Sequence, residues 1–461
     1  MSRIVLSDPI LPDMQAHILK HHGREHAYHL FLVFRSGKVT QLKAAIKKLA
    51  NNSITSAKKQ LDDAAKHSID DSFDGGTITT FSLTKAGYDF LGTNNAFLTD
   101  ASFIAGAKSR AAFLSDDIAE WDFGFTLNIH ALVIVADGDT ARLYDAVRSI
   151  YKLFNGIADV VVQQKGKILR NKHGIGIEHF GYADGISQPI YLDKEVDEQG
   201  DRTQWDDEAD TARLLIQDKN GQNNKSFGSY FVFRKLEQNV KAFNEAEEAT
   251  AANGVPKFLA HVKDDHGLVN DELAGAMVVG RFEDGTEVVN NSRDKEIEHP
   301  WELSNDFNYS NDKKGLKCPF HAHIRLTNPR SDIKSPGDPK SYRITRRAIP
   351  FNDIGRNEED LDGDQPSGGV GLLFQCYQSS IQGQFEVIQK FWANDGNIQD
   401  DPNKNIAIDG IIGQGNNANV KTLPKRWNNA TGSNPVSFSG FVTNRGGEYF
   451  FTPSISSLKN L

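Results

Sequence analysis

Three short segments of this 461-residue chain hold residue types that can do acid-base or ligand chemistry. The first, Phe180-Gly181-Tyr182-Ala183-Asp184-Gly185-Ile186-Ser187-Gln188-Pro189, sets one carboxylate between two glycines in an otherwise apolar run. Glycine relaxes the steric limits on the main chain, so Gly181 and Gly185 would let backbone press close to a ligand while Asp184 points at it. On spacing alone the same run also reads as a tight turn with a solvated aspartate. The second segment, Cys318-Pro319-Phe320-His321-Ala322-His323 and on through Arg325 to Arg330, offers imidazole and guanidinium groups, and the third, Arg346-Arg347-Ala348-Ile349-Pro350-Phe351, adds two more cations. His321 and His323 at i and i+2 would share a face on a strand, as in a zinc site, and point apart on a helix.

Taken together the three segments resemble the dye-decolourising peroxidases, a family of haem enzymes, and the larger, fungal-like branch in particular. The resemblance covers most of the chain. It begins at Ile18-Leu19-Lys20 with His22-Gly23-Arg24, passes through Glu178-His179-Phe180, and resumes at Gly371-Leu372-Leu373-Phe374-Gln375-Cys376-Tyr377. It continues at Phe391-Trp392-Ala393-Asn394, Ile411-Ile412-Gly413-Gln414 and Gly446-Gly447-Glu448-Tyr449-Phe450-Phe451. Each motif is weak alone, and their order and number make the match specific.

The resemblance implies roles residue by residue. His323 falls at the position of the axial ligand to the iron of haem b, and Asp409 at that of the acceptor for its second ring nitrogen, which fixes the tautomer of a ligating histidine. Gly410 departs from the proline common there, and His321 from a small residue. Asp184 matches the distal acid-base group, with Gly185, Ile186 and Ser187 beside the cofactor. Arg346 matches the cation that stabilises charge on peroxide, with Arg347 the near alternative. Leu372 and Phe374 match apolar residues of the distal pocket. Arg330 matches a partner of a haem propionate, and Arg325 is a second candidate for that role. Tyr377, Trp392, Tyr342 and Trp205 are candidate relays between an enclosed haem and bulky reductants, or plain packing residues.

The elements that must hold these groups follow from periodicity. Leu30 to Arg35 reads as a strand and Leu42, Ala45, Ile46 and Leu49 as a helix face. Thr77 to Leu83 and Phe125 to Val135 read as strands, Leu143 to Phe154 as a second helix behind the N-cap Asp139, and Val160 to Leu169 as a fourth strand. This βαββαβ order is the ferredoxin-like arrangement. It restarts at Ser229 to Arg234, with Leu236, Val240 and Phe243 at helical spacing. Gly371 to Tyr377 follows as a strand, Ile381, Phe385, Ile388 and Trp392 as a helix face, and Tyr449 to Phe451 as a closing strand. The expected class is α+β: tandem ferredoxin-like domains over 1–205 and 226–461, with antiparallel sheets, helices packed on their faces and the haem pocket mainly in the second. Asp193 to Asn224 between them reads as a solvated connector.

Composition agrees with a globular enzyme. Hydrophobic residues make up 38% of the chain, and the formal net charge of -9 argues against nucleic acid as a partner. No apolar run reaches the ~18 residues of a membrane span, and the N-terminus lacks a secretory apolar core, so a cytoplasmic protein is expected. Cys318 and Cys376 are the only cysteines and read as packing residues. The C-terminal Ser456-Ser457-Leu458-Lys459-Asn460-Leu461 reads as part of the fold. The function expected is a peroxidase that reduces hydrogen peroxide and oxidises phenolic compounds and bulky aromatic dyes in one-electron steps, with oligomers allowed. The alternatives are a haem storage or sensing protein, for which Asp184 and Arg346 would have no use, and a zinc hydrolase built on His321 and His323.

Overall fold

A computed structural model describes residues 3–199, 209–247, 262–332, 339–361, 363–395, 408–415, 421–436 and 438–461. In the first half, the strands are β1 (His26–Phe34), β2 (Ile78–Leu83), β3 (Ala131–Asp137) and β4 (Ala158–Lys167). All pair antiparallel in the order β2-β3-β1-β4. Helix α1 (Val39–Asn52) buries Leu42, Ala45, Ile46 and Leu49, the face its spacing predicts, and α2 (Thr140–Phe154) buries Leu143, Val147, Ile150 and Phe154. The Asp139 side chain accepts the Arg142 amide hydrogen and caps α2 as expected.

The second half repeats the plan with β5 (Phe227–Gln238), α3 (Val240–Glu247), α4 (Asp271–Val279), α5 (His323–Thr327), β6 (Ile349–Asn352), β7 (Val370–Gln378) and β8 (Val442–Thr452). Its strand order, β6-β7-β5-β8, is the same ferredoxin-like permutation. Leu236, assigned by spacing to the helix after the first strand, lies still within β5, and the helix starts at Val240. The stretch after β7 winds as a π-helix over Ile381–Phe385 and Val387–Ala393, a form that concentrates at functional sites.

Phe451 of β8 pairs with Leu83 of β2, so the two halves form one continuous sheet. That sheet curls until its ends meet. Gln164 on β4 donates to Asp353 Oδ1 at 2.7 Å, and a Cβ on Gly166 would fall 2.6 Å from Ile349 Cγ2. Phe31, Phe125 and Phe233 fill the interior, with ring centroids 4.8 Å apart for Phe31–Phe233 and 5.8 Å for Phe125–Phe233. One apolar core therefore spans both halves, and a second lies under α3 and α4.

The connector differs from its expectation. Its acidic Asp206-Asp207-Glu208 lies outside the described residues, but Thr211, Leu214, Leu215 and Asp218 are buried, and Ile216–Gln217 adds a short strand to β5. The C-terminal segment is tied in: Ser456 donates its amide to Asp13 Oδ1 at 2.7 Å, and Leu458 is buried. Both cysteines are buried thiols. Among the described residues, no helix is long and apolar enough to cross a membrane.

Candidate active site

A deep cavity opens between the 178–189 loop, α4, α5, β7 and the π-helix. Nine of the eleven site residues named from the sequence line it: Asp184, Gly185, Ile186, Ser187, His323, Arg330, Arg346, Leu372 and Phe374. A tenth, Asp409, stands directly behind His323. Arg325 does not reach it.

His323 is the first residue of α5, after the turn at Cys318-Pro319. Its Nδ1 lies 2.7 Å from Asp409 Oδ2. A carboxylate there accepts the Nδ1 hydrogen and leaves the Nε2 lone pair for a ligand in the cavity. Burial alone would raise the Asp409 pKa, yet the His323 ring and the amides of Ile411 and Ile412, which donate to Oδ1 at 2.7 and 3.1 Å, hold it below the usual carboxylate value. Gly410 is explained by packing, since a Cβ there would meet Val278 at 2.9 Å and Phe438 at 3.1 Å. His321 turns elsewhere. Its Nε2 lies 3.3 Å from the Thr422 carbonyl, and burial pushes its pKa down to about 4. Among the described residues no three His, Cys, Asp or Glu side chains are grouped to hold a metal ion.

In the same cavity, Arg346 Nη1 donates to Asp184 Oδ1 at 3.0 Å. The same oxygen accepts the Gly185 amide at 2.6 Å, and Gly181 and Gly185 take φ values of +100° and +81°, which side-chain-bearing residues rarely adopt. Gln188 Oε1 accepts the Arg346 amide at 3.0 Å and so ties the acidic loop to the arginine strand. Ile186 and Ala183 both pack against the buried cluster of Ile175, Ile297 and Leu303.

One edge of the cavity is cationic. Arg330 lies over the Phe307 ring at 4.0 Å and donates to Asn305 Oδ1 at 2.6 Å, while Ser187 Oγ donates to that same Oδ1 at 2.7 Å. Arg281, which no reading of the sequence singled out, stands beside it and donates to the Gly285 carbonyl at 2.8 Å. Burial, and then the charge of Arg330, push the Arg281 pKa down to about 10. Two guanidiniums forced together favour a ligand that brings carboxylates to this edge.

Arg325, expected as a second partner for a propionate, is corrected to a structural role. It is fully buried and donates to Asp332 at 2.6 Å and to Asp312 at 2.8 Å, between the rings of Tyr309 and Phe320. Two residues beyond His323 on a helix, it points to the opposite side. Glu178, quoted only as part of a motif, lines the cavity and has its pKa raised to about 7, chiefly by burial. Of the candidate relays, Tyr342 and Trp392 meet edge to face at 5.1 Å, Tyr377 is buried against Phe231, and Trp205 lies outside the described residues.

The donor set fits a haem. The lining offers an imidazole with its second nitrogen fixed, an acid paired with a cation and two further guanidiniums, beside apolar residues that include Ile324, Ile388 and Ile411 and polar ones that include Glu178, Arg234, Gln238 and Arg343.

Comparison with known proteins identifies a family. Residues 13–170 match the family described as "DyP dimeric alpha+beta barrel domain", and residues 275–405 match "Dyp-type peroxidase, C-terminal". The chain is similar to the multifunctional dye peroxidase DyP2 of Amycolatopsis sp., at 37% identity over 98% of this chain and 96% of that protein. The DyP2 structure superposes with a TM-score of 0.88 at 35% identity, covering 98% of this chain and 96% of that one. A DyP-type peroxidase of Anabaena sp. superposes with a TM-score of 0.87 at 37% identity, covering 99% and 96% of the two chains. A dye-decolorizing peroxidase in complex with 2,6-dimethoxyphenol gives 0.78 at 26%, covering 97% and 98%.

Proposed function

The chain belongs to the dye-decolourising peroxidase family of haem enzymes, and from that premise we propose that it uses haem b, bound through His323, to reduce hydrogen peroxide and oxidise phenols and bulky aromatic dyes one electron at a time. The observation that carries this reading is the Asp184–Arg346 contact at 3.0 Å in the cavity that His323 also lines. A storage or sensing protein has no use for such a pair.

Bound haem would supply a redox-active iron that takes two oxidising equivalents from peroxide and gives them up singly. The protein's own part is proton handling, charge and orientation. The Asp184 carboxylate takes the proton from the nearer peroxide oxygen and returns it to the leaving oxygen, which departs as water. Arg346 keeps its proton throughout and offsets the negative charge that develops between these steps. Asp409 holds the Nδ1 hydrogen of His323 and makes the ring a stronger donor. Arg330, with Arg281 beside it, receives the propionates. Leu372 and Phe374 narrow the distal side, so that peroxide enters and large reductants stay outside. A relative solved with 2,6-dimethoxyphenol supports the choice of phenolic reductants for this chain. In this reading the 1–205 unit contributes the distal acid, the 226–461 unit contributes the iron ligand, and the enzyme works in the cytoplasm.

The test is an absorption spectrum of the haem-loaded protein before and after one equivalent of hydrogen peroxide, followed by a phenol. The expected outcome is a rapid shift of the haem bands and their return on adding the phenol. A spectrum that peroxide leaves unchanged would overturn the proposal.

A further inference from the structure

Arg347, next to the distal cation, is a buried charge held by the main chain alone. It is 4% exposed. Its Nε donates to the His17 carbonyl at 2.8 Å, Nη2 to the Ile18 carbonyl at 2.9 Å and Nη1 to the Arg346 carbonyl at 2.8 Å. Among the described residues no carboxylate pairs with it; Glu195, an acid whose charge it feels, is paired with Lys20. A guanidinium in this position is costly to bury, and burial pushes its pKa down to about 10.

The acceptor His17 carries two further costs. Its backbone is left-handed, with φ +73°, a region that residues with side chains avoid. Its Nε2 is buried with no hydrogen bond of ordinary geometry, the Gln375 side chain being close enough only to influence it. This conformation is pinned from several directions: the His17 amide donates to Gln60 Oε1 at 2.8 Å, His17 Nδ1 accepts the His22 amide at 3.1 Å, and Gln60 Nε2 donates to the His21 carbonyl at 2.7 Å. Strain, an unsatisfied nitrogen and an uncompensated cation thus lie on one path that ends at the Arg346 carbonyl. Such costs collect where function requires a fixed geometry.

We propose that Arg347 is the positioning residue of the distal wall: anchored on the left-handed turn at His17, it holds the Arg346 main chain so that the Arg346 guanidinium stays over the site where small anions bind. The Gln188 side chain fixes the Arg346 amide from the other side at 3.0 Å. This rests on the reading of Arg346 as the distal cation.

Two measurements test it. In the wild-type protein labelled at arginine nitrogen, the Arg346 Nε–H should be as ordered as rigid backbone, with an order parameter of about 0.85, and a value below about 0.6 would overturn the proposal. In R347K, which keeps the charge and loses the three-carbonyl fork, that order should fall and cyanide should bind the haem-loaded protein at least ~10-fold more weakly. R346L serves as the reference. Weaker cyanide binding in R346L with wild-type affinity and order in R347K would sink the positioning role while leaving the distal cation in place. Wild-type affinity in R346L would instead sink the reading of Arg346 itself. If R347K does not fold, the wild-type order parameter still decides.

Discussion

His323 and Asp409 form a hydrogen-bonded pair at 2.7 Å in which the carboxylate is fully buried and the imidazole faces the cavity. A buried carboxylate beside a ligating imidazole does two things: it fixes the tautomer and it increases electron donation through the ring. Asp409→Asn keeps the shape and removes the charge. Haem affinity is expected to fall ~10–100-fold, the range typical of lost outer partners, and the ferric–ferrous midpoint potential to rise. Titration of the variant with haem, together with spectroelectrochemistry, checks both. Because the folded pKa of Asp409 lies below its ordinary 3.8, the stability it contributes is complete above that value and is lost as pH falls through the lower folded one. Acid unfolding of the variant should lack this component.

The choice between the two histidines of the 318–330 segment is tested by replacement. His323→Ala should abolish tight haem binding or change its spin state, since only this ring stands in front of Asp409. His321→Ala should preserve both, because that ring is engaged with the Thr422 carbonyl. Absorption spectra of the two reconstituted variants decide the matter, and a reversed pattern would remove the assignment.

Glu178 gives a pH dependence of opposite sign to that of Asp409. Its carboxyl is raised from 4.5 to about 7, first by burial and against the amides of Phe180 and Tyr182, which donate to it. A raised folded pKa contributes stability that is complete below 4.5 and lost as pH climbs through about 7. Thermal melts of the wild type should therefore move down across that window. Glu178→Gln should flatten the decline, leaving the part due to Glu247, which burial raises to about 8. Parallel melting curves for wild type and variant between pH 5 and pH 7 would contradict the assignment.

What was legible in the sequence was whatever periodicity or motif order encodes. The first ferredoxin-like copy could be read because Leu42, Ala45, Ile46 and Leu49, and again Leu143, Val147, Ile150 and Phe154, repeat at the spacing of one buried helix face, and the second because Ile381, Phe385, Ile388 and Trp392 do so after its third strand. The second strand of the second copy was not placed. Ile349–Asn352 is four residues long and contains Pro350, so its alternation is too short to count, and only pairing with β7 defines it. Arg325 illustrates a different limit: proximity to His323 in sequence says nothing of side-chain direction until the helix start at His323 is known. Arg281 was invisible because nothing in Val279-Gly280-Arg281-Phe282 marks it as facing Arg330, a neighbour supplied by a distant segment. Asp184, His323 and Arg346 lie far apart in the chain, and motif order alone suggested that they meet.

The distal pair offers the sharpest separation of roles. At 3.0 Å from one another, Asp184 and Arg346 are proposed to act on the same peroxide by different means, since a carboxylate can carry a proton while a guanidinium does not give its own up. Loss of a general acid-base group typically costs ~10²–10⁴ in rate, and loss of one preorganised charge partner ~10²–10³, so the size of the defect does not distinguish them. The pH profile of kcat/KM for peroxide does. Asp184→Asn removes the proposed proton carrier and should flatten that profile, whereas Arg346→Leu should lower it throughout and retain its shape. Both variants are checked for intact haem binding first, which separates a distal defect from loss of the cofactor. Should Asp184→Asn react with peroxide at the wild-type rate across the whole pH range while Arg346→Leu does not react at all, proton transfer does not pass through Asp184 and Arg346 is the essential distal group.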